Sequence, residues 1–250
     1  MPLVALQNSS CSNGYQHCWY VANVLKSAMY VTYYYNQVDV LSNPSIFSGF
    51  RWHDTWRSVK IELSADKLEA SWSKGAHHRY WATFAADKIL DEYKQHYMEL
   101  EVVEYGKQKP QKKLAIGVIA CNKKGASALP WHDGQHPVGQ IEDVKSWSFH
   151  PLSGIKNSYA LSNEGQPYAS SISLQDGDKI GMLIDGPAKK LTFFLNGQDL
   201  GVAFEDLDTT ALLPAVSIRD KIRVRLRFPP PPYLNRTVKL IQLRASVDYD

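Results

Sequence analysis

Two sets of side chains in this sequence have types that could do chemistry. The first is His132-Asp133-Gly134-Gln135-His136, in which two histidines are separated by three residues. That spacing brings both imidazoles to one metal ion when the segment is helical. Pro130, Gly134 and Pro137 oppose a helix, so we interpret the segment as a solvated loop and predict no metal site. The pair His77-His78 receives the same interpretation.

The second is Cys121, which could act as a nucleophile if a histidine served as its base. The surrounding sequence has no sharp nucleophile turn and no glycine loop for an oxyanion. Glycine-rich phosphate loops are also absent from the chain. We therefore predict that Cys121 is a buried structural cysteine at the end of a strand, and we expect neither an enzyme nor a cofactor.

Composition narrows the compartment and the class of partner. The chain has 28 Lys and Arg against 25 Asp and Glu, a formal charge of +3, which is too balanced for a nucleic-acid binder. Three cysteines suffice for neither a disulfide framework nor a RING-type zinc site. No run of about 18 apolar residues predicts a membrane span, and the start lacks a signal-peptide pattern. We expect an intracellular, cytoplasmic protein that binds neither nucleic acid nor membrane.

The elements that must position any site are predicted to be strands. Aromatic residues make up 12% of the chain, and they favour pleated, half-buried surfaces. From about residue 46 to 228 the chain consists of short apolar runs separated by turn signals, which is typical of a β-sandwich or barrel. The predicted strands are Val59–Leu63, Leu68–Ser73, Tyr80–Ala85, Tyr97–Glu104, Leu114–Cys121, Lys179–Asp185, Lys190–Leu195, Leu213–Ile218 and Ile222–Phe228.

Two local patterns fix register. From Ile222 to Phe228 apolar residues alternate with three arginines, so a slip by one residue would bury three guanidinium groups. Asn196-Gly197 is the strongest hairpin signal, because both central residues of a tight turn need positive φ. Asp185-Gly186-Pro187 is predicted to form a similar hairpin connection.

The two ends of the chain differ from its middle. Residues 1–45 carry many aromatic and apolar side chains, which supply more apolar surface than a free tail tolerates. We therefore expect them to pack across the sandwich or to dock on a neighbouring subunit. Pro229 to Pro232 end the sheet and favour a polyproline II rod. Pro230-Pro231-Pro232-Tyr233 also satisfies the PPxY pattern that WW domains bind. We favour a stiff strap leading away from the sandwich.

Several of these segments resemble the SPRY domain family. The stretch from Asp176 to Phe204 resembles the family's core, with Gly177-Asp178-Lys179-Ile180-Gly181 followed by Phe194-Leu195-Asn196-Gly197 and Leu200-Gly201-Val202-Ala203-Phe204. The closing strands of the family are similar to Leu213–Ser217 and Val224–Phe228. Upstream, Tyr97–Val102, Leu114–Val118 and Ser146–Phe149 are similar to family strands. The early half lacks the LDP motif of the longer PRY–SPRY form.

The resemblance covers roughly residues 46–228 and implies an all-β fold, a bent sandwich of two antiparallel sheets. It predicts three domains of the chain: an extension over 1–45, the sandwich over 46–228, and a strap and tail over 229–250. It also implies that Trp147 is buried in a core strand; Trp72 and Trp81 are expected to be buried as well. Trp131 lies in the loop-like segment 122–144, where it is either a binding anchor or folds back on its own loop.

Binding through loops at one end of the sandwich is the function that the resemblance implies. The loops that correspond are 74–79, the Trp131 loop, the loop after Ser217 and parts of the segment around Tyr159. The candidate partner-binding residues are Lys74, His78, Arg79, Tyr80, Trp131, His132, Arg219 and Asp220. We expect a non-enzymatic interaction module or scaffold, a subunit of a larger assembly that binds a protein or peptide. Alternatives are a lectin-like carbohydrate binder and a substrate-recognition adaptor of a ubiquitin ligase.

Overall fold

The computed structural model describes residues 49–73, 80–105, 113–121, 136–141, 144–159, 165–208 and 210–232. The chain divides into two units, Met1–Ser48 and Gly49–Asp250, and all of the described residues belong to the second. The predicted packing or docking of residues 1–45 therefore lies outside the described residues. No helix in the described ranges is long and apolar enough to cross a membrane.

Every element formed by the described residues is a β-strand. The strands are β1 (Trp52–Arg57), β2 (Ile61–Leu63), β3 (Glu69–Trp72), β4 (Ala82–Ala86), β5 (Gln95–Glu104), β6 (Lys113–Ala120), β7 (Ser146–His150), β8 (Ile155–Ser158), β9 (Gln166–Pro167), β10 (Lys179–Asp185), β11 (Lys190–Leu195), β12 (Gln198–Phe204), β13 (Leu212–Arg219) and β14 (Arg223–Arg227). They form two antiparallel sheets of seven strands. Sheet A has the order β1-β4-β13-β6-β7-β8-β9, and sheet B has the order β12-β11-β10-β5-β14-β3-β2. The predicted all-β sandwich is confirmed.

The strands that the apolar pattern predicts are all present. Lys179–Asp185 and Lys190–Leu195 have the predicted bounds, and the other seven differ by one or two residues at either end. The strands Trp52–Arg57, Ile155–Ser158 and Gln166–Pro167 escape the apolar-run criterion, because their burial neither alternates nor forms a continuous buried run. β1 and β9 are the edge strands of sheet A, each with one paired neighbour, and β8 lies next to the edge strand β9.

The alternation of β14 has the predicted consequence. Ile222, Val224 and Leu226 are almost completely buried between the sheets. The three arginines lie on the outer face of sheet B, where each meets a carboxylate: Arg225 pairs with Glu69 at 2.8 Å and with Asp66 at 2.6 Å, Arg227 with Glu101 at 2.6 Å, and Arg223 with Glu104 at 3.6 Å. Exposed pairs of this kind add little stability, so the register depends on the apolar face.

The predicted Asn196-Gly197 turn is confirmed. Both residues have positive φ, 49° and 79°, and the turn joins β11 to β12. The Asn196 side chain also fixes the neighbouring strand, since its Oδ1 accepts a hydrogen bond from the Lys179 backbone N–H at 2.9 Å and its Nδ2 donates to Asp178 Oδ1 at 2.9 Å. The Asp185-Gly186-Pro187 connection also forms a hairpin, in which Lys189 carries the positive φ of 54°.

Burial confirms two of the three tryptophan predictions. Trp72 and Trp81 are each 6% exposed. Trp147 is only partly buried, although it packs against the main core. It lies on the inner face of β7, and only the short strands β8 and β9 lie beyond it on that side of sheet A.

Sheet A is covered on both faces. Its inner face packs against sheet B, and its outer face carries small and hydroxyl side chains covered by residues 136–141 and 144. Ser217 Oγ bonds Thr83 Oγ1 at 2.7 Å and accepts from the Val138 backbone N–H at 2.9 Å. Ser148 Oγ donates to the Val138 carbonyl at 2.6 Å, and Ser146 Oγ accepts from the Gly139 N–H at 3.0 Å. These hydroxyls bind the covering segment to the sheet.

The sequence predicts that the proline segment leads away from the sandwich. In the structure it lies against the sandwich instead. Pro231 is buried, and its neighbours Pro229, Pro230 and Pro232 line a groove together with residues of β5, β10 and the β11–β12 turn. The prediction is wrong because β14 ends in the middle of sheet B, opposite Glu99, so the chain that follows can pack against the outer face of that sheet.

A further contact places the Trp56 ring, at the end of β1, against residues on the outer face of sheet A. His53 Nδ1 accepts hydrogen bonds from the backbone N–H groups of Thr55 and Trp56, both at 3.1 Å, and the two aromatic rings stack with centroids 3.8 Å apart. Trp56 packs against Cys121, Ala211 and Leu213. An imidazole nitrogen can accept these bonds only when it is unprotonated.

Replacing Gly117 should test how closely β6 and β7 approach. A Cβ at this position would lie 1.8 Å from the Trp147 carbonyl oxygen, so we expect Gly117→Ala to lower the free energy of unfolding by about 3 kcal/mol or more. Gly197→Ala is the matched control, because its Cβ meets open space and only the positive φ is unfavourable, at about 1 kcal/mol. Urea denaturation measures both, and equal losses would contradict the steric explanation.

The stability of the domain is expected to depend on pH through His53. The pKa of His53 is lowered, mainly by burial, while Asp54 and Asp87 act to raise it and Lys67 to lower it. The folded state thus prefers neutral His53, and its contribution to stability is present above the unfolded pKa of about 6.5 and is lost as pH falls below it. We expect the urea midpoint of the wild type to fall between pH 7.5 and 5 more steeply than that of His53→Asn, whose amide oxygen accepts hydrogen bonds without titrating. Identical slopes would contradict this role.

Candidate partner-binding surface

Strand register brings three of the predicted site residues to one end of the sandwich. Ile218 pairs with Ala82, which places Arg219 and Asp220 beside Tyr80 and Trp81 at the same end of the strands of sheet A. From Asp220 the chain crosses directly to β14 in sheet B, where Arg223 faces Ser71 and Glu104. We call this region, which contains Lys60, Tyr80 and Asp220, the loop end.

Tyr80 is the exposed aromatic residue of the loop end. Its side chain is 40% exposed, and the ammonium group of Lys60 lies 5.4 Å from the centre of its ring. The same ammonium lies 5.6 Å from the buried ring of Trp72. Cation–π contacts at exposed sites contribute about 0.5–1 kcal/mol each. Lys60 therefore holds the Tyr80 ring against the sandwich and leaves part of it open to a partner.

Val59 adds an apolar patch next to this pair. It is 87% exposed, the largest exposed fraction among the large hydrophobic residues that the structure describes. The preceding Ser58 is fully buried, and its backbone N–H donates to the Thr83 carbonyl at 2.8 Å. This bond fixes the turn and points Val59 outward. Sequence analysis assigned Val59 and Lys60 to a strand and so missed both; only the exposed fraction reveals them.

The turn that crosses from sheet A to sheet B is held in an unusual backbone conformation. Asp220 has a φ of 74°, a region that non-glycine residues rarely adopt. Its carbonyl accepts from the Ile222 N–H at 2.8 Å and its Oδ1 accepts from the Lys221 N–H at 2.7 Å. Ile222 is 1% exposed and anchors the turn in the core. The Arg219 and Lys221 side chains are thereby carried on a fixed backbone.

Two aromatic rings meet across the outer face of sheet A close to the loop end. Trp81 and His150 meet edge to face, with centroids 5.9 Å apart, although two strands separate β4 from β7. Ala115 and Ser217 pair with each other on the two intervening strands, and their small side chains leave room for the large rings. His150 Nε2 is also 3.2 Å from Ser148 Oγ, which joins it to the hydroxyl network under residue 138.

Tyr159 does not belong to the loop end, contrary to the sequence prediction. Its backbone N–H donates to Ser146, which pairs with Ile119, which in turn pairs with Leu213. Leu213 is six residues before Arg219 on the same strand, a separation of roughly 20 Å at the usual rise per residue. The two residues lie at opposite ends of sheet A, because β7 and β8 form a hairpin whose open end faces away from the loop end.

The other predicted site residues lie outside the described residues. They are Lys74, His78, Arg79, Trp131 and His132. Their participation in a site stays a prediction. His136, at the end of the predicted loop, is partly buried.

Cys121 is the buried cysteine that the sequence predicts. It is 8% exposed, its Sγ donates to the Ala211 carbonyl at 3.1 Å, and burial raises the pKa of its thiol. Both effects reduce the fraction of reactive thiolate. Within the described part of the chain, no three His, Cys, Asp or Glu side chains converge as they would around a metal ion. The arrangement at the loop end is suited to contact with another molecule.

Comparison with known proteins decides the family. The sequence profile of the SPRY domain matches residues 95–231, more than half of the chain. The chain belongs to the SPRY domain family. The match begins at the first residue of β5 and includes all of the strands that carry the quoted family motifs, from Tyr97 to Phe228. The predicted family is therefore confirmed.

Solved SPRY domains share the fold. The SPRY domain of human HERC1 is 18% identical, with a TM-score of 0.52 over 71% of this chain and 97% of that one. Another human SPRY domain is 21% identical, with a TM-score of 0.51 over 72% and 97% of the two chains. The TRIM65 PSpry domain is 15% identical, with a TM-score of 0.52 over 72% and 90%. No curated protein sequence matches this chain.

SPRY domains are known as protein-interaction modules. Family membership does not name a partner.

Substitutions at Asp220 should show whether the crossing turn is conformationally strained. Aspartate and alanine both have a Cβ and both bear the cost of a φ of 74°, about 1–2 kcal/mol, so Asp220→Ala loses chiefly the hydrogen bond from Lys221 and should lower the free energy of unfolding by about 1 kcal/mol. Glycine tolerates this φ, so Asp220→Gly should lose less than half as much. Chemical denaturation compares the two variants. A glycine variant less stable than the alanine variant would contradict the conformational explanation.

Proposed function

We propose that this SPRY domain is a non-enzymatic interaction module or scaffold that binds a protein partner through its loop end. The observation that carries the proposal is the cluster of Val59, Lys60 and Tyr80 beside the Asp220 turn. It combines an exposed aliphatic side chain, a positioned aromatic ring, and the partly or fully exposed cations Lys60, Arg219 and Lys221 on a fixed backbone. Aromatic and arginine side chains of this kind provide most of the affinity in protein interfaces.

The proposed site consists of Tyr80, Arg219 and Asp220, together with Lys74, His78, Arg79, Trp131 and His132 from the sequence prediction. Lys74, His78 and Arg79 are included because residues 74–79 connect Ser73 to Tyr80 along the chain. Ser73 is bonded to the loop end, since its backbone N–H donates to the Lys60 carbonyl at 2.7 Å, and Tyr80 is part of the loop end. For Trp131 and His132 the support is their position in a long loop on a rigid sandwich.

The proposal includes a place in a larger assembly and an intracellular, cytoplasmic setting. The small net charge of +3 supports a protein or peptide partner over nucleic acid, and the sequence supports no membrane attachment. A WW-domain contact at Pro230–Tyr233 is disfavoured, because Pro231 is buried and a WW groove must take that proline ring.

A carbohydrate partner receives less support than a protein partner. Sugar rings stack on a free aromatic face, whereas Lys60 lies over the Tyr80 ring. The role of a ubiquitin-ligase adaptor rests on the family resemblance alone.

The test is partner capture with the intact chain. Affinity purification from the native cell with mass spectrometry should yield a defined protein, and direct binding to it should then be measured. We expect the combined variant Lys74→Ala, Tyr80→Ala, Trp131→Ala and Arg219→Ala to bind at least about tenfold more weakly, with its thermal midpoint retained within a few degrees.

Two exposed aromatics at the opposite end provide the matched control. Tyr93 is 80% exposed and Tyr159 is 50% exposed, so the double variant Tyr93→Ala, Tyr159→Ala removes comparable aromatic surface. It should bind the partner with unchanged affinity. If the control loses binding while the four-residue variant keeps it, the loop end is not the binding surface.

A further inference from the structure

A second surface of the domain has the chemistry of a binding site. Pro229, Pro230 and Pro232 form one wall of a groove on the outer face of sheet B, and the other wall is built from strand and turn residues: Glu99, Gly177, Lys179, Asn196 and Gly197. The groove has a volume of about 460 Å³, within the range of about 300–1,000 Å³ that is usual for ligand sites. We call it the proline groove. It is separate from the loop end, because Lys179 on β10 and Trp72 on β3 have β5 and β14 between them.

Glu99 supplies the charge of this groove. Its side chain lines the groove, yet the residue is only 9% exposed. Among the described residues its side chain has one hydrogen-bond partner, the Tyr97 hydroxyl, which donates to Oε1 at 3.0 Å. A carboxylate can accept about four hydrogen bonds, and a buried one is stable only when its charge is compensated. Most of the accepting capacity of Glu99 is thus unused among the described residues, at a position that lines the groove.

The nearest arginine does not compensate Glu99. Arg227 is its cross-strand partner in the β5–β14 ladder, but the Arg227 guanidinium donates through Nε to Glu101 at 2.6 Å. Arg225 is similarly paired with Glu69 and Asp66. Of the four acidic residues that β5 and β3 present beside the arginines of β14, Glu99 is the one without an ion pair to a described residue, and it is also the most deeply buried.

We propose that the proline groove binds an arginine or lysine side chain of an extended partner segment, with the cation at Glu99. The three proline rings offer an apolar wall along which the methylene groups of such a side chain can pack, while its charged end reaches the carboxylate. A guanidinium bonded to a carboxylate in a partly dry groove makes a charge-assisted pair, the stronger class of hydrogen bond.

Lys179 makes it possible to test whether the bound ligand is a cation or an anion. It is exposed at the groove, so its ammonium group repels a bound cation and would attract a bound anion. Removing or reversing this charge therefore distinguishes a cationic from an anionic ligand, whatever the absolute affinity.

The experiment titrates the full chain with short capped peptides and follows the backbone amides of Gly177 and Gly197 by NMR. The probe is acetyl-Ala-Arg-Ala-amide; the same peptide with citrulline in place of arginine is its neutral isostere, and Lys and Glu versions complete the set. We expect the arginine peptide to shift both amides saturably and the citrulline peptide to bind at least about tenfold more weakly, as the loss of one charged hydrogen bond predicts.

Three variants complete the test. Glu99→Gln should weaken the arginine peptide by about tenfold or more, whereas Glu104→Gln, which alters an exposed acid outside the groove, should leave it unchanged. Lys179→Glu should strengthen the arginine peptide several-fold. The proposal is overturned if the arginine peptide shifts neither amide, if citrulline binds equally well, if Glu99→Gln has no effect, or if Lys179→Glu weakens arginine binding. None of these results bears on the loop end, which is tested by partner capture.

Discussion

The burial of β13 on both faces is the constraint on which the rest of this domain depends. Seven of its eight residues are buried, because its inner face packs against sheet B and its outer face is covered by Val138, Ile141, Val144 and Trp56. Beneath Val138 this outer face carries the small side chains of Ala215 and Ser217, and their neighbours across the sheet, Thr83, Gly117 and Ser148, are also small. Leu213, on the same face nearer the start of the strand, packs against Trp56 instead. The hydroxyls among the small side chains compensate the polar groups of the covering segment, so the outer layer is held by directed hydrogen bonds as well as by apolar contact.

This constraint also determines where a binding surface can form. β13 enters the loop end at Arg219, and the chain passes within a few residues to β14 of the other sheet. A crossing so short leaves little freedom in the backbone, and the positive φ of Asp220 is the result. Both strands are anchored by buried residues, Ile218 before the turn and Ile222 after it. The backbone of the turn therefore has little conformational entropy left to lose on binding, which favours recognition of a defined partner.

The two outer faces of the sandwich have different electrostatic characters. Sheet B carries the three arginines of β14 with their carboxylates, and of the four acidic residues beside them on β3 and β5, Glu99 is the one without an ion pair to a described residue. Sheet A carries neutral hydroxyls and small residues under a covering segment. The proline segment, of which Pro231 is buried, lies on the charged face next to Glu99. The SPRY sandwich of this chain thus offers two chemically distinct surfaces, one aromatic and aliphatic at the loop end, and one acidic and proline-walled.

Local sequence patterns were enough for the class of fold, the bounds of the inner strands, the register of β14 and the Asn196-Gly197 turn. Each of these follows from short-range physics: period-two alternation specifies which face is buried, and a tight hairpin requires residues that accept positive φ. Glu99 and Tyr159 show what such patterns miss. Glu99 looks like any outward residue of an alternating strand, and only the path of the prolines beyond β14 makes it a buried carboxylate in a groove. Tyr159 was grouped with the loop end, but strand pairing through Ser146 and Ile119 places it at the other end of the sheet. Val59 and Lys60 likewise read as strand residues until the bond from Ser58 to Thr83 turns them outward. In each case the deciding contact joins residues distant in sequence, so tertiary packing alone could determine it.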